Sequence, residues 1–401
     1  MTDSIRVTVE ELRLRNFRAF DNARLRLSDL TYLVGRNGAG KSSLLDAIAL
    51  MQEAVSDSLE NALDRRGGVR NVGRMWRGIG TLIAPPGFGL ALVLSLHVPG
   101  REAVRLVYGF EVFEAASADE RYKVSERLVG GKPVSVFERV GMYFNSPGSK
   151  LDPWPPEENL IFPLIARADS IWSEILAAIR GMCAYEISPA HMAEAREIGD
   201  KTSLVRNGGN AGDVLKRLPD GIQHWIWERL ALITPGIVDA VAETVYGRRI
   251  LRFRQEQGEA VLELDARNIS QGTLRAFGVL LALQQFSSPS LVVIDEIENS
   301  LHPSALGVLL DAALASSRRM PVVLTTHSPE VLSHASAQPE RVRLIEWREG
   351  VSRIFGLSAE TRAAVDEIDT VGWLLRSNAL WPDPTPETCG DDLFALERPA
   401  P

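Results

Sequence analysis

Short apolar segments alternate with polar turns and helical patterns along the first part of the chain. Residues 7–14 and 23–27 alternate apolar and polar side chains, which predicts two half-buried strands. Residues 29–34 (DLTYLV) form an apolar run typical of a buried strand, and residues 41–54 carry apolar side chains at helical spacing. Because a glycine-rich segment separates these two, the pattern predicts a strand, a glycine loop and a helix in succession.

The same patterning divides the chain into four segments, 1–80, 81–255, 256–380 and 381–401. The second begins with short strand-like runs and continues with helical patterns, which predicts a β-rich and helical insertion. In the third, apolar helices alternate with apolar strands in the order 273–286, 290–294, 304–317 and 321–325. The first and third segments are therefore expected to form two parts of one α/β domain. The fourth is rich in proline and acidic residues, and we expect a flexible tail.

Composition narrows the possible classes of protein. The 401 residues are 45% hydrophobic and 24% charged, as in an ordinary globular protein, and the net charge of -8 disfavours a general nucleic-acid coat. Two distant cysteines, Cys183 and Cys389, cannot build a disulfide framework, which favours a reducing compartment. Apolar runs fall short of the roughly 18 residues that a membrane span needs. We expect a cytoplasmic protein that does not enter a membrane.

The glycine loop carries the strongest chemical pattern. Residues 35–42 (GRNGAGKS) match GxxxxGK[ST], in which glycines turn backbone N–H groups towards an anion at the start of a helix. Lys41 is expected to reach the β- and γ-phosphates of a nucleoside triphosphate, and the Ser42 hydroxyl to bind Mg²⁺. The sequence therefore predicts an ATP site here.

Two carboxylates follow the apolar strand 290–294. Ligands of open parallel sheets bind at the carboxyl ends of the strands, which is where Asp295 and Glu296 lie. We expect Asp295 to hold Mg²⁺ and Glu296 to polarise the attacking water.

Three further residues match the chemistry of a shared phosphate site. Ser270 and Gly272 precede the predicted helix 273–286 and would form a second anion site, which one subunit alone does not need. Two head-to-tail copies would need it, because each could close over the other's ATP. His327 follows the strand 321–325 and could contact the γ-phosphate, although a lone histidine there could also be an ordinary loop residue.

Taken together, these motifs resemble the ABC-type ATPase superfamily. Residues 12–20 (LRLRNFRAF) are similar to the start of its RecF/SMC-like branch, and residues 298–303 (ENSLHP) and 325–330 (TTHSPE) resemble soluble ATPases of that branch, related to the ATPase part of OLD-family proteins. The resemblance covers residues 1–80 and 180–375. It implies an α/β P-loop NTPase with an ABC-type mixed sheet, an antiparallel β subdomain and a helical insertion.

The resemblance also implies site residues and a biological setting. It assigns nucleotide contacts to Gly35, Asn37, Gly38, Gly40, Lys41, Ser42, Ser43 and Arg18, with Ser270 and Gly272 acting in trans. It implies catalysis by Glu296, His327 and Lys41 in an ATP-dependent homodimer. Such a dimer would act as a switch in DNA repair or defence against phage, through a protein effector.

Two departures from the family pattern bear on function. No glutamine lies between Gln52 and Gln223, so the usual Q-loop residue is missing. His302 stands where transporter ATPases carry an aspartate, which argues against an ATPase subunit of a membrane transporter. That transporter role and an ATP-gated scaffold with little hydrolysis remain the alternatives.

An arginine cluster lies directly after the first predicted helix. Its members are Arg65, Arg66, Arg70, Arg74 and Arg77, with glycines between them. Such a loop could bind phosphates of DNA or of a partner-bound nucleotide, or it could be a solvated loop that offsets the acidic chain.

Overall fold

The fold is that of a computed structural model, in which residues 5–74, 76–78, 81–83, 87–114, 121–131, 134, 136–140, 143–145, 156, 158–199, 201–285, 289–367 and 370–396 are described. The strands are β1 (Arg6–Phe17), β2 (Phe20–Arg26), β3 (Leu30–Val34), β4 (Trp76–Gly78), β5 (Thr81–Ile83), β6 (Gly87–His97), β7 (Val104–Glu114), β8 (Tyr122–Gly130), β9 (Phe137–Val140), β10 (Tyr143–Asn145), β11 (Met182–Tyr185), β12 (Arg196–Glu197), β13 (Ile237–Val245), β14 (Arg248–Gln257), β15 (Ala260–Asp265), β16 (Leu291–Ile294), β17 (Val322–Thr326), β18 (Val342–Arg348) and β19 (Val351–Phe355). The helices are α1 (Lys41–Ser56), α2 (Leu59–Asp64), α3 (Val69–Val72), α4 (Phe162–Ile165), α5 (Ser170–Arg180), α6 (Pro189–Ala193), α7 (Ala211–Arg217), α8 (Asp220–Ile233), α9 (Gln271–Gln284), α10 (Pro303–Ser317), α11 (Pro329–Leu332), α12 (Ala359–Glu367) and α13 (Val371–Arg376).

A six-stranded sheet forms the centre of the fold. Its order is β11-β16-β17-β3-β18-β19, and all neighbours are parallel except β18 and β19. Every residue of β3, β16 and β17 is buried, as expected for parallel strands covered on both faces. The three strands are consecutive neighbours, so their carboxyl ends bring the glycine loop, Asp295 and His327 to one edge of the sheet.

Alternation along these strands divides the core into two layers. Leu33, Val293 and Val323 face a cluster that contains the apolar side of α1 and α5. Val292 and Val322 face the opposite cluster, which contains α9 and α10. Side chains of successive strand residues point to opposite faces, and so the central sheet is packed between helices on both sides.

A seven-stranded antiparallel sheet lies on the α1 side, in the order β10-β9-β8-β7-β6-β1-β2. The strands expected in residues 7–14 and 23–27 and the antiparallel meander after them are confirmed. However, β6 pairs along most of β1, from Arg6 opposite His97 to Arg15 opposite Gly89. The middle segment thus completes a sheet that the first residues begin, and it also supplies β11 to the central sheet. The boundaries expected at residues 80 and 255 therefore do not coincide with the sheets.

A smaller sheet of β12, β13, β14 and β15 extends from the α9 side, with β14 paired to each of the other three. Among the described residues, none of the helices has the length and apolar character that crossing a membrane requires.

The carboxyl-terminal segment differs from the expected flexible tail. Within the described residues 381–396, Cys389, Leu393 and Phe394 are buried against the outer face of the antiparallel sheet, beside Val93 and Val107. The buried guanidinium of Arg13 donates to the carbonyls of Leu393, at 3.1 Å, and of Ala395, at 2.6 Å. The proline and acidic content misled the prediction, because a few apolar side chains and a buried arginine are enough to anchor the segment. Residues 397–401 lie outside the described part.

Candidate functional site

The loop between β3 and α1 has a geometry that requires glycine. Gly38 has φ +79° and Gly40 has φ +116°, both in the region that favours glycine. A Cβ on Gly40 would also lie 2.6 Å from Ser352 Oγ. The Lys41 ammonium bends back over the loop and donates to the Gly35 carbonyl at 2.6 Å and the Arg36 carbonyl at 3.4 Å. The loop is therefore a tight turn with a cation held against it.

The first turn of α1 presents polar groups beside this cation. Gly40 is the N-cap, and no described side chain caps the helix. The unpaired N–H groups of a helix start and its dipole favour an anion there. Ser42 is exposed and Ser43 is half-buried in this turn. Asn37, next to Gly38 in the loop, is exposed too.

A buried threonine holds the two carboxylate residues after β16. Thr325 Oγ1 donates to Asp295 Oδ1 at 2.5 Å and accepts from the Glu296 N–H at 2.7 Å. Glu296 has φ +44°, a left-handed conformation that is uncommon for a residue with a side chain. Sequence reasoning quoted Thr325 within the TTHSPE run but gave it no role, because it directly follows an apolar run that reads as core.

A second position that sequence reasoning missed is Arg275, on α9. It is 3% exposed, and it donates to the carbonyls of Asp295 at 2.7 Å, of Glu296 at 2.6 Å and of Ile187. Burial lowers the pKa of the Arg275 guanidinium, and the negative charges of Asp295 and Glu296 oppose that shift. In the sequence, the sign of a special position was an arginine within the otherwise apolar helical pattern of residues 273–286.

His327 is held by a glutamate that sequence reasoning did not single out. Glu298 Oε1 accepts from the His327 N–H at 2.9 Å and lies 3.2 Å from its Nδ1. His327 lines a cavity of about 900 Å³ together with residues 35–39 of the glycine loop and the end of β18. The structure therefore brings His327 and the loop together, as the expected γ-phosphate contact requires.

Asp295 and Glu296 line a second cavity, of about 660 Å³. The strand β11, next to β16 in the sheet, ends at this cavity and supplies Glu186 and Ser188 to its wall. The sheet order thus places these two residues beside Asp295 and Glu296. The sequence alone did not show this, because strand order is not encoded locally.

Ser270 is the exposed N-cap of α9, and its Oγ accepts from the Thr273 N–H at 3.1 Å. It is not among the described residues that line the cavity at the glycine loop. Gly272 packs closely, since a Cβ there would lie 2.8 Å from the Ser300 carbonyl oxygen. Ser270 and the glycine loop of the same chain therefore do not line this cavity together.

Arg18 and most of the arginine cluster are paired with acids. Asp46 of α1 accepts from Arg18 Nε at 2.8 Å and from Arg66 Nε at 2.8 Å. Arg65 pairs with Asp57 at 2.5 Å. Arg70 donates to Glu114, and Arg74 donates to the Gly350 carbonyl. Asp46, Asp57 and Glu114 thus neutralise charges of the cluster, so a fully uncompensated basic loop is excluded for Arg65, Arg66 and Arg70. The side chain of Arg77 lies outside the described part.

Two family models match the sequence. Residues 8–69 match the family described as "AAA ATPase domain". Residues 194–333 match the family described as "AAA domain, putative AbiEii toxin, Type IV TA system". The first range contains the glycine loop, and the second contains Ser270, Asp295, Glu296 and His327. No curated protein sequence matches the chain.

The fold is similar to solved SMC head domains. The SmcHead bound to the C-winged helix domain of ScpA gives a TM-score of 0.55 at 16% identity, covering 88% of this chain and 99% of that one. The Smc head domain with an extended coiled coil bound to the C-terminal domain of ScpA, derived from Pyrococcus furiosus, gives 0.55 at 15% identity, covering 90% and 99%. The chain therefore has the α/β fold of an ABC-type P-loop ATPase. Together with the two family matches, this fold supports the predicted resemblance to RecF/SMC-like ATPases.

Proposed function

We propose that the protein binds and hydrolyses ATP in a head-to-tail homodimer. The observation that carries the proposal is the convergence of the glycine loop, Asp295 and His327 at the ends of three neighbouring strands, β3, β16 and β17. This arrangement offers a phosphate cradle, a metal-binding carboxylate and a γ-phosphate contact at one sheet edge.

The residues at this edge fit a magnesium ion by their donor chemistry. The hydroxyl of Ser42 and the free oxygen of Asp295 are hard oxygen donors, which Mg²⁺ prefers. No group of three or more His, Cys, Asp or Glu side chains in the described part could hold a metal. This suits Mg²⁺, which is commonly held by one or two side chains together with phosphate oxygens and water. When bound, the ion would neutralise charge on the β- and γ-phosphates.

The side chains have separate roles in this proposal. Lys41, released from the loop carbonyls, pairs with the phosphates. Glu296 orients the attacking water and takes up its proton. His327, aimed by Glu298, contacts the γ-phosphate. Arg18, Asn37 and Ser43 contribute nucleotide contacts beside the loop.

The second subunit completes the site. Ser270 is exposed at the start of a 14-residue helix that is buried almost throughout after its first turn. The N–H groups at the start of this helix and the Ser270 hydroxyl suit a phosphate. Ser270 does not line the described cavity at the glycine loop of its own chain. We therefore assign Ser270 and Gly272 to the partner's γ-phosphate.

The biological role proposed is a cytoplasmic switch that controls a protein effector in DNA repair or defence against phage. It is supported by the match to the family described as putative AbiEii toxin, type IV TA system, and by the similarity to two SMC head domains that are bound to a domain of ScpA. DNA contact through the arginine cluster is a weaker part of the proposal, because ion pairs already occupy most of its charge.

Glu296→Gln tests the enzymatic part. Phosphate release should fall at least about 100-fold, because the amide cannot accept a proton, whereas ATP binding should be retained. Glu186→Gln, on the same cavity wall, is the control and should affect hydrolysis less. Equal turnover in Glu296→Gln and wild type would favour the ATP-gated scaffold.

A further inference from the structure

Arg275 is a buried cation that is held by main-chain oxygens. Within the described part of the chain it forms no ion pair, and its two terminal nitrogens donate instead to the carbonyls of Ile187, Asp295 and Glu296. Burying a charge lowers the stability of the folded state unless its hydrogen bonds are satisfied. The cost of burying Arg275 therefore points to a function for this side chain. The Arg275 Nε–H is buried without a partner, which is an additional cost of the observed arrangement.

The three carbonyls belong to the two strand ends that line the cavity of Asp295 and Glu296. Ile187 follows β11, and the other two follow β16. Glu296 is thereby held on both sides of its backbone, by Arg275 at its carbonyl and by Thr325 at its N–H. Its left-handed φ persists only where the surroundings enforce it.

Arg275 also belongs to the helix that begins with Ser270 as its N-cap. The two residues are five positions apart on the first turns of α9. A force applied at the exposed start of the helix reaches the guanidinium through hydrogen-bonded helix backbone. The planar fork of arginine then contacts several carbonyls together, which the single ammonium of lysine cannot do with the same geometry.

We propose that Arg275 is a positioning residue that couples the trans phosphate contact of Ser270 to the backbone of Glu296 in the same chain. Engagement of Ser270 with the partner's nucleotide shifts the start of α9 and the carbonyls that Arg275 holds. The Glu296 carboxylate then reaches its working position only in the closed dimer. Each subunit thereby couples two sites. Nucleotide binding at the composite site that contains its Ser270 affects its own Glu296, which serves the other composite site. This inference rests on the proposed function.

The test compares Arg275→Lys and Arg275→Met with wild type. ATP affinity, measured with a fluorescent ATP analogue, should change less than about threefold, while kcat falls at least tenfold in both variants. Arg13→Met is the matched control, because Arg13 is equally buried and also donates to carbonyls, but lies at the antiparallel sheet. Its kcat should stay within twofold of wild type.

A double-mutant cycle with Ser270→Ala separates coupling from general damage. If Arg275 transmits the contact of Ser270, the double variant Ser270→Ala/Arg275→Lys is no slower than the slower single variant. Multiplied losses would overturn the inference, as would wild-type kcat in Arg275→Lys or a loss confined to KM. Arg275→Lys retains the buried charge and serves if Arg275→Met does not fold. Absence of hydrolysis in wild type would instead overturn the proposed function itself.

Discussion

At the scale of the residue, the site depends on side chains whose partners are main-chain groups. Thr325 and Arg275 are both buried, and they hold the N–H and the carbonyl of Glu296. A left-handed residue with a side chain costs on the order of 1–3 kcal/mol, and these contacts compensate for it. The position of the carboxylate is thus set by its backbone.

Glu298→Gln should lower kcat by about tenfold and leave ATP affinity nearly unchanged. Glu298 Oε1 aims both the N–H and the ring of His327, and a neutral amide holds the imidazole more weakly. Steady-state kinetics and a nucleotide titration check this. Glu346→Gln, which also borders the cavity, is the control. A kcat equal to that of wild type would show that Glu298 does not position His327.

At the scale of the element, two segments derive their order from contacts that are distant in sequence. The strap of residues 387–396 is anchored on β1, β2 and the face of β6 and β7. The turn before α4 is anchored by Glu126, whose carboxylate accepts from the Ile161 N–H at 2.6 Å and from Tyr108 Oη at 2.8 Å. In both segments a buried polar group pairs with backbone or hydroxyl groups.

Leu393→Ala should lower the free energy of unfolding by about 2–4 kcal/mol, because Leu393 is fully buried on the sheet. Urea denaturation measures the loss. Leu396→Ala is the matched control on the same strap, where the side chain is 36% exposed, and should cost less than about 1 kcal/mol. Equal effects would mean that the strap does not pack as described.

Glu126 predicts a pH dependence of stability. Burial raises its pKa from 4.5 to about 7, against the lowering effects of the Ile161 N–H, Tyr108, the Phe162 N–H and Arg139. Between these pKa values the folded state keeps a proton that the unfolded state releases. Raising the pH through this window therefore removes stability, by about 3 kcal/mol in total, and no further loss from this group follows above it.

The measurement is urea denaturation of wild type and Glu126→Gln between pH 5 and pH 8. Because glutamine does not titrate, wild type should lose stability relative to the variant as pH rises. A constant difference across this range would contradict the assignment of the effect to Glu126.

At the scale of the whole molecule, the proposed composite site would require a second copy of the chain. The glycine loop and Ser270 of one chain do not line the same cavity. In the proposed dimer, each bound ATP would contact the loop of one subunit and Ser270 of the other. Closure of the dimer is therefore expected to depend on ATP and to be released by hydrolysis.

Sedimentation of Glu296→Gln should show a monomer without nucleotide and a dimer with Mg²⁺ and ATP. Adding Ser270→Arg should abolish the dimer, because a long side chain would block the partner's γ-phosphate position. Ser304→Arg, at the start of the neighbouring helix α10, tests whether any added arginine has this effect. A monomer in both nucleotide states would refute the head-to-tail site.

The local sequence determined the glycine loop, the strands and helices beside it, and the placement of Asp295, Glu296 and His327 after buried strands. These features rest on short-range rules: φ values that only glycine adopts easily, and periodicities of two and 3.6 residues. Only the tertiary structure decided the contacts of Arg275, Thr325 and Glu298, the pairing of β6 with β1, the pairing of Arg70 with Glu114 and the docking of the strap. Each of these depends on groups far apart in the chain meeting in space, and a residue's own neighbours in sequence carry no record of that meeting.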